Sequence, residues 1–323
     1  MAEFNNVQTE SETGSAESGT GSVTASILRP NDIEPLYQTQ RGSAFLGDSL
    51  ELMRQLPSDS IDLVVTSPPF ALKRKKEYGN KEDVDYVEWF MEFGNEIFRI
   101  LKPTGSLVLD IGGTWNKGKP TRSLYQYQLL IKLVEQFQLA QEFFWHNPAK
   151  LPSPAEWVTV RRIRVTDAVN TVWWLSKTES PKADNKRVLR PYSESMKALI
   201  ANGYKAKLRP SGHDISEKFG KNHGGSIPHN LLQISNTDSN GVYLKMCKEH
   251  GINPHPARFP VGLPQFFINF LTEPGDIVLD PFAGSNVSGY AAEGLGRRWL
   301  AFELREDYLL ASQFRFGPQL SLL

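Results

Sequence analysis

Cysteine is almost absent. The single Cys247 among 323 residues excludes an internal disulfide framework and any cysteine-cluster zinc site, and reads as a packed thiol in a reducing compartment. Long apolar runs are missing too: none approaches the roughly 18–20 residues that cross a bilayer, so no membrane is expected as a partner. The first residues are acidic and polar, unlike a signal peptide. The six histidines stand without paired acidic or cysteine spacing, so no metal is expected. There is no G-x-G-x-x-G, which weighs against a pyrophosphate cradle. Net charge is also absent, with 36 Lys or Arg balanced by 36 Asp or Glu.

That balance hides an asymmetry. Residues 1–40 hold six acidic side chains against Arg29, and their Ser, Thr and Gly content reads as a disordered extension. Residues 177–222 hold eleven basic side chains against five acidic. A basic segment in a neutral chain is read either as a phosphate-contacting surface or as a solvated face. The remaining composition, 40% hydrophobic and 22% charged, is that of an ordinary globular protein.

What is present centres on Val64-Val65-Thr66-Ser67-Pro68-Pro69-Phe70. Ile61 to Val65 is an apolar strand. Neither proline has an N–H to continue a ladder, and each forces the residue before it into an extended conformation. The product is a stiff arm at the carboxyl end of a strand, where open α/β sheets bind ligands. Its carbonyls are unpaired acceptors and Phe70 is a flat apolar face. Such an arm suits an amino group on a flat ring. Alone, Pro-Pro at a strand end is only a turn.

Along the chain, strands are expected at 43–48, 106–111, 142–146, 168–176, 277–280 and 299–303. Helices are expected at 49–56 with Asp48 or Ser49 as N-cap, and at 86–101, 124–140, 264–271, 287–294 and 307–314. This alternation predicts a largely parallel sheet covered on both faces. Gly47-Asp48-Ser49-Leu50 spells the nucleophile motif of GDSL-type esterases. That class needs an Asp three residues before its His, and Phe143, Pro210, Gly220, Ser226, Cys247 and Ile252 stand there instead. Ala71 to Gly79 is a basic loop that suits a nucleic acid backbone. Lys150 to Arg164, with Trp157, Arg161, Arg162 and Arg164, suits phosphates or flipped bases, or a structural role. Residues 179–254 lose periodicity and read as an inserted, loop-rich module.

Ile277 to Gly294 follows dinucleotide-fold logic. Gly284 lets a ligand approach the backbone, and Asp280 at the strand end suits a ligand ammonium or a turn cap. Glu303 follows 23 residues later at the end of the next strand, the spacing of an acid that binds ribose hydroxyls. A ligand with a cationic amino group and a ribose but no required phosphate fits S-adenosyl-L-methionine.

Ser67-Pro68-Pro69-Phe70, Asp280-Pro281-Phe282-Ala283-Gly284-Ser285 and His255-Pro256-Ala257-Arg258-Phe259-Pro260 together resemble the amino-group DNA methyltransferases. The catalytic motif comes first and the cofactor motif last, as in their β group. Stretches around Phe70–Asn80, Lys150–Pro154 and Asp167–Trp174 look like the PvuII-type N4-cytosine enzymes, and the likeness covers roughly residues 41–316. The resemblance implies a Rossmann-like, S-adenosylmethionine-dependent α/β fold. Its sheet is mixed and mostly parallel with helices on both faces, plus a smaller loop-rich target-recognition region. It divides the chain into an extension (1–40), a catalytic half (41–178), the target-recognition region (179–254) and a cofactor half (255–323).

The implied catalytic residues are Ser67, Pro68, Pro69 and Phe70. The implied cofactor residues are Asp48 toward the adenine, Asp280, Pro281, Phe282, Gly284 and Ser285 in the loop, and Glu303 toward the ribose. His255 to Pro260 border the methionine end, and Asn170 and Trp174 lie beside the target base. The implied reaction is methyl transfer to the exocyclic N4 of a flipped-out cytosine in double-stranded DNA, in a prokaryotic cytoplasm. The implied protein is a monomer acting beside a companion restriction endonuclease that it need not touch. N6-adenine methylation and a catalytically silent DNA-binding module are the alternatives, beside the weakened esterase.

Overall fold

The computed structural model describes residues 29–30, 33–70, 85–203, 220–237 and 241–317. The basic loop at 71–79, the Arg209–His213 turn and residues 1–28 of the expected extension lie outside them.

One sheet of nine strands organises the chain, in the order β1-β2-β9-β8-β3-β4-β6-β5-β7. Its strands are β1 (Tyr37–Gln38), β2 (Gly42–Leu46), β3 (Ile61–Thr66), β4 (Leu101–Ile111), β5 (Gln138–His146), β6 (Val169–Ser176), β7 (Leu231–Gln233), β8 (Ile277–Asp280) and β9 (Arg298–Glu303). β2, β9, β8, β3 and β4 run parallel, and β7 is parallel to β5. The pairs β1–β2, β4–β6 and β5–β6 are antiparallel. This is the mixed, mostly parallel sheet that was expected.

Both faces are dry, yet the period of two survives. Phe45, Val64, Leu107, Leu109, Leu279 and Phe302 enter one core. Ala44, Leu63, Val65, Val108, Val278 and Ala301 enter the other. Helices α1 (Ser49–Arg54), α2 (Tyr86–Ile100) and α3 (Tyr125–Leu133) cover the first face. On α2 the buried Tyr86, Phe90, Phe93, Ile97 and Ile100 recur every three or four residues, the stripe a covering helix needs. Helices α6 (Gly262–Leu271), α7 (Val287–Gly294) and α8 (Glu306–Ser312) contribute Phe267, Ile268, Ala291, Ala292 and Leu309 to the second face. No helix among the described residues is long and apolar enough to cross a membrane.

Three expectations change. The helix read over 124–140 stops at Leu133, because Gln138 and Leu139 pair with Ser176 and Leu175 of β6. Sheet pairing there overrides helical spacing. The sheet starts inside the stretch read as an extension: Tyr37 pairs with Ala44 and is buried. The 179–254 region is tied into the main fold. It holds α4 (Glu194–Asn202) and supplies β7, and its α5 (Val242–Glu249) buries Tyr243 and Cys247 against Ala311 and Phe314.

The order of strands decides where a site forms. β3 and β8 lie side by side, with Leu63 opposite Val278 and Val64 opposite Leu279. From β3 the chain goes to β4 on one side, and from β8 to β9 on the other. The carboxyl ends of β3 and β8 therefore flank the switch point of the sheet.

Candidate active site

A cavity of about 1030 Å³ opens at that switch point. Ser67, Pro68, Pro69 and Phe70 from the end of β3 line it, as do Asp48, Pro281, Phe282, Gly284, Ser285 and Glu303. The two stretches, more than 200 residues apart in sequence, are joined directly. Thr66 Oγ1 donates to Asp280 Oδ1 at 2.6 Å.

On the β3 side, Ser67 Oγ donates to Asp110 Oδ2 at 3.0 Å, and Asn170 Nδ2 donates to Asp110 Oδ1 at 3.2 Å. Ser67's own hydrogen is thus committed to Asp110, which leaves its lone pairs as acceptors. Asp110 is buried, and burial lifts its carboxyl to about 6; the Ser67 and Asn170 hydrogen bonds and the nearby Lys150 charge oppose that rise. The Phe70 ring lies over the backbone of Gly112, where an added Cβ would sit 2.4 Å from it, so only glycine admits the ring there.

Asp110 escaped the sequence reading, although an acid inside the apolar run Leu107–Ile111 was a signal for it. Trp174 does not line the cavity. It lies four residues down β6, buried, with Nε1 donating to Ser106 Oγ at 2.9 Å. Trp145, paired with Asn170 from the adjacent strand β5, lines the cavity instead.

On the β8 side the polar groups are held from behind. Asp280 is buried and does not line the cavity. Besides Thr66, its carboxylate accepts from Ser288 Oγ at 2.7 Å and from the Phe282 backbone N–H at 3.1 Å. Where an ammonium contact was expected, Asp280 stands behind the cavity wall and braces the loop through these three donors. Burial raises its carboxyl to about 6. Glu303 does reach the cavity; its Oε2 accepts from the Gly284 N–H at 2.8 Å, and burial raises its carboxyl.

Gly284 has φ +52, and a Cβ there would meet the His255 ring at 3.2 Å. His255 is neutral, its imidazole pushed down to about 4 by burial, and its Nδ1 bonds the Ala257 carbonyl at 2.6 Å. The Nδ1 atom must therefore carry the proton. Arg315, which sequence reasoning missed, donates through Nη2 to Ser285 Oγ at 3.0 Å and lies 4.4 Å from the Tyr243 ring centroid. Asn286 adopts the left-handed conformation; its Oδ1 accepts from Gly289 N–H and its Nδ2 donates to Tyr37 Oη at 2.9 Å.

Asp48 caps α1, with Oδ1 accepting from the Leu50 and Glu51 N–H groups. Near it the cavity wall is aromatic: Trp89 and Phe93 of α2 join Phe282, whose ring centroid is 4.9 Å from that of Phe93. Trp89 and Phe93 read in sequence only as the apolar stripe of a helix. An aromatic wall beside a carboxylate, a glycine-floored loop and a second carboxylate suit a purine nucleoside. No basic clamp for a pyrophosphate accompanies them in the loop, whose Pro281 and Phe282 are apolar.

A family model described as DNA methylase matches residues 61–314. The Type II methyltransferase M.PvuII of Proteus hauseri is 57% identical over 288 residues, covering 88% of this chain and 86% of that protein. The Type II methyltransferase M.BamHI of Bacillus amyloliquefaciens is 26% identical over 84% of this chain and 57% of its own length. Among solved structures, the PvuII DNA methyltransferase (cytosine-N4-specific) superposes with a TM-score of 0.74 at 49% identity, covering 90% of this chain and 92% of that one. An M1.HpyAVI–SAM complex shares the fold, with a TM-score of 0.52 at 17% identity over 85% of this chain and 99% of that one.

Proposed function

This chain belongs to the DNA methylase family, and we propose that it moves a methyl group from S-adenosyl-L-methionine to the exocyclic N4 of an extruded cytosine in duplex DNA. It is the modification enzyme of a restriction–modification pair, working as a monomer in a prokaryotic cytoplasm on sites that a companion nuclease also reads. One observation carries the reading: the Ser67–Asp110 pair and the Gly284–Glu303 pair line one cavity.

The residues present fit the cofactor. Trp89, Phe93 and Phe282 suit its adenine, with Asp48 at the edge, and Glu303 suits the ribose. The Gly284 backbone and the neutral His255 ring border the methionine end. The cofactor supplies a methyl carried on a sulfonium, an electrophile that leaves a neutral thioether behind.

The chain's own residues prepare the other reactant. The N4 lone pair of cytosine is conjugated with its ring and lies paired inside the duplex, so the base is extruded and held by stacking and edge hydrogen bonds. Phe70 offers the stacking face. Ser67 Oγ and the Pro68 carbonyl accept the two amino hydrogens, which draws N4 out of conjugation and aims its lone pair away from the proline arm. As N4 gains the methyl it becomes acidic. Its proton passes to Ser67 Oγ while the Ser67 hydrogen passes to Asp110, a carboxylate tuned to about 6. Orientation and fixed dipoles supply most of the acceleration.

Incubation with isotopically labelled cofactor and plasmid, followed by mass spectrometry of the nucleosides, is the direct test. N4-methylcytosine is the expected product. Label on adenine N6 would overturn the base assignment, and an unlabelled plasmid would overturn the reaction.

A further inference from the structure

Between β5 and β6 the chain leaves the sheet for 22 residues, 147–168, and both ends of this loop stand at the cavity. Lys150 and Asn170 line it. The neck is closed by the Asn147 N–H donating to the Ala168 carbonyl at 2.9 Å. Inside, a π-helical turn, Glu156–Val160, buries Trp157, and the Ile163 and Arg164 N–H groups both donate to the Trp157 carbonyl. Arg164 donates to Asp167 Oδ2 at 2.9 Å and to the Pro120 carbonyl at 2.6 Å, and Arg122 also reaches Asp167.

The structure thereby sorts the side chains that sequence left together. Trp157 and Arg164 hold the loop in place, and Arg161 lies 5.0 Å over the Trp157 ring. Arg162 is exposed, at φ +53, and makes no ion pair among the described residues. Four aliphatic side chains also face water: Leu151 (80% exposed), Val160 (69%), Ile163 (53%) and Val165 (84%). They are a quarter of the sixteen large hydrophobics exposed among the described residues, gathered in fifteen positions. A loop pinned at its neck, its tryptophan and its arginine cannot collapse to bury them. Exposed apolar side chains interleaved with exposed cations suit DNA whose stack has been opened, where wedges cover base faces and cations meet phosphates.

We propose that residues 150–165 are the rim on which duplex DNA seats beside the extruded nucleotide. This rests on the functional reading above. Arg162, with the exposed Lys150 of the cavity lining, takes backbone phosphate. The aliphatic side chains, Leu151 and Val165 foremost, cover the base faces that the departing nucleotide uncovers.

The test uses the full chain and a duplex carrying the site mapped by plasmid methylation, with 2-aminopurine next to the target cytosine. Arg162→Gln is expected to weaken binding to specific and unrelated duplexes alike and to lower the slope of log affinity against log salt by about one. Arg162→Gly removes the same charge at a backbone angle that suits glycine, so an equal loss in that variant excludes misfolding. Leu151→Ser combined with Val165→Ser is expected to cut the 2-aminopurine fluorescence rise and the single-turnover rate by about tenfold. Cofactor affinity should stay unchanged. If the unaltered chain methylates plasmid and all these variants bind and extrude as it does, the rim assignment alone falls. If the unaltered chain methylates nothing, the functional reading falls and takes the rim with it.

Discussion

On the cofactor side of the cavity Asp280 is held by Thr66, Ser288 and Phe282, Ser285 by Arg315, and Asn286 by Tyr37 and Gly289. On the base side the polar groups form one short line, Asn170 to Asp110 to Ser67, beside a proline arm whose nitrogens cannot donate. The first side is a braced backbone shape with the Glu303 carboxylate and Gly284 at its surface. The second leaves the Ser67 lone pairs as acceptors and sets its raised carboxyl, Asp110, in the cavity wall, whereas the equally raised Asp280 of the first side lies behind the wall. The proposed function gives binding to the first side and proton handling to the second, although one cavity contains both.

The difference between the two sides is largest at Asp110 and Ser67. Asp110→Asn and Ser67→Ala should each lower single-turnover methyl transfer by about a hundredfold or more, with cofactor affinity near that of the unaltered chain. A variant that lost cofactor binding instead would show that the two sides are not separate.

Acid acts on the base side through Asp110. As pH falls through about 6, Asp110 takes up a proton and can no longer receive one, so the rate should fall, and Asp110→Asn should lack that limb. Stability should move the other way. A carboxyl raised from 3.8 to about 6 contributes stability that is fully present below 3.8 and is lost as pH rises toward 6. Asp110 and Asp280 share this sign. Parallel pH profiles of turnover and of denaturant midpoint, falling together toward acid, would contradict it.

Asp280→Ala tests the braced side. It leaves the Thr66 and Ser288 hydroxyls and the Phe282 N–H without their acceptor, a loss of about 2 kcal/mol. The melting temperature should drop and the cofactor Kd should rise, while transfer at saturating cofactor stays close to normal. Calorimetric titration and a thermal melt separate this from a direct ligand contact, which would change Kd and leave the melt alone.

Gly284→Ala should have the smallest effect. Its left-handed backbone and the nearby His255 ring cost alanine about 1 kcal/mol, read as a several-fold weaker cofactor Kd with little change in turnover. An unchanged Kd would mean that the loop backbone is not approached by the ligand.

Much of this arrangement was legible in the chain itself. β8 and α7 fall on the expected residues, because an apolar run ending at Asp280 and a helix starting after Asn286 are locally marked. The proline arm was readable because proline's restraints are covalent. The misreadings share a cause. Trp145 and Trp174 both sit in strands of similar composition, and only the register, with Trp145 opposite Asn170 and Trp174 opposite Val108, decides which reaches the cavity. Tyr37 looked like part of a polar extension until its ring met Trp299 and its hydroxyl met Asn286 and Ser312. Arg315 carried no local sign of its bond to Ser285, 30 residues away.

Local covalent and periodic constraints were enough to announce a proline-backed strand end, a glycine-floored loop, an acid spaced from it, and alternating strands and helices. They act over a few residues, so they are written into the sequence. The adjacency of β3 and β8, the Asp110 carboxylate behind Ser67, and the burial of Asp280 as a brace behind the cavity wall belong to the folded chain alone. Each depends on which distant groups share a low-dielectric interior, and burial and register settle that only when the sheet closes.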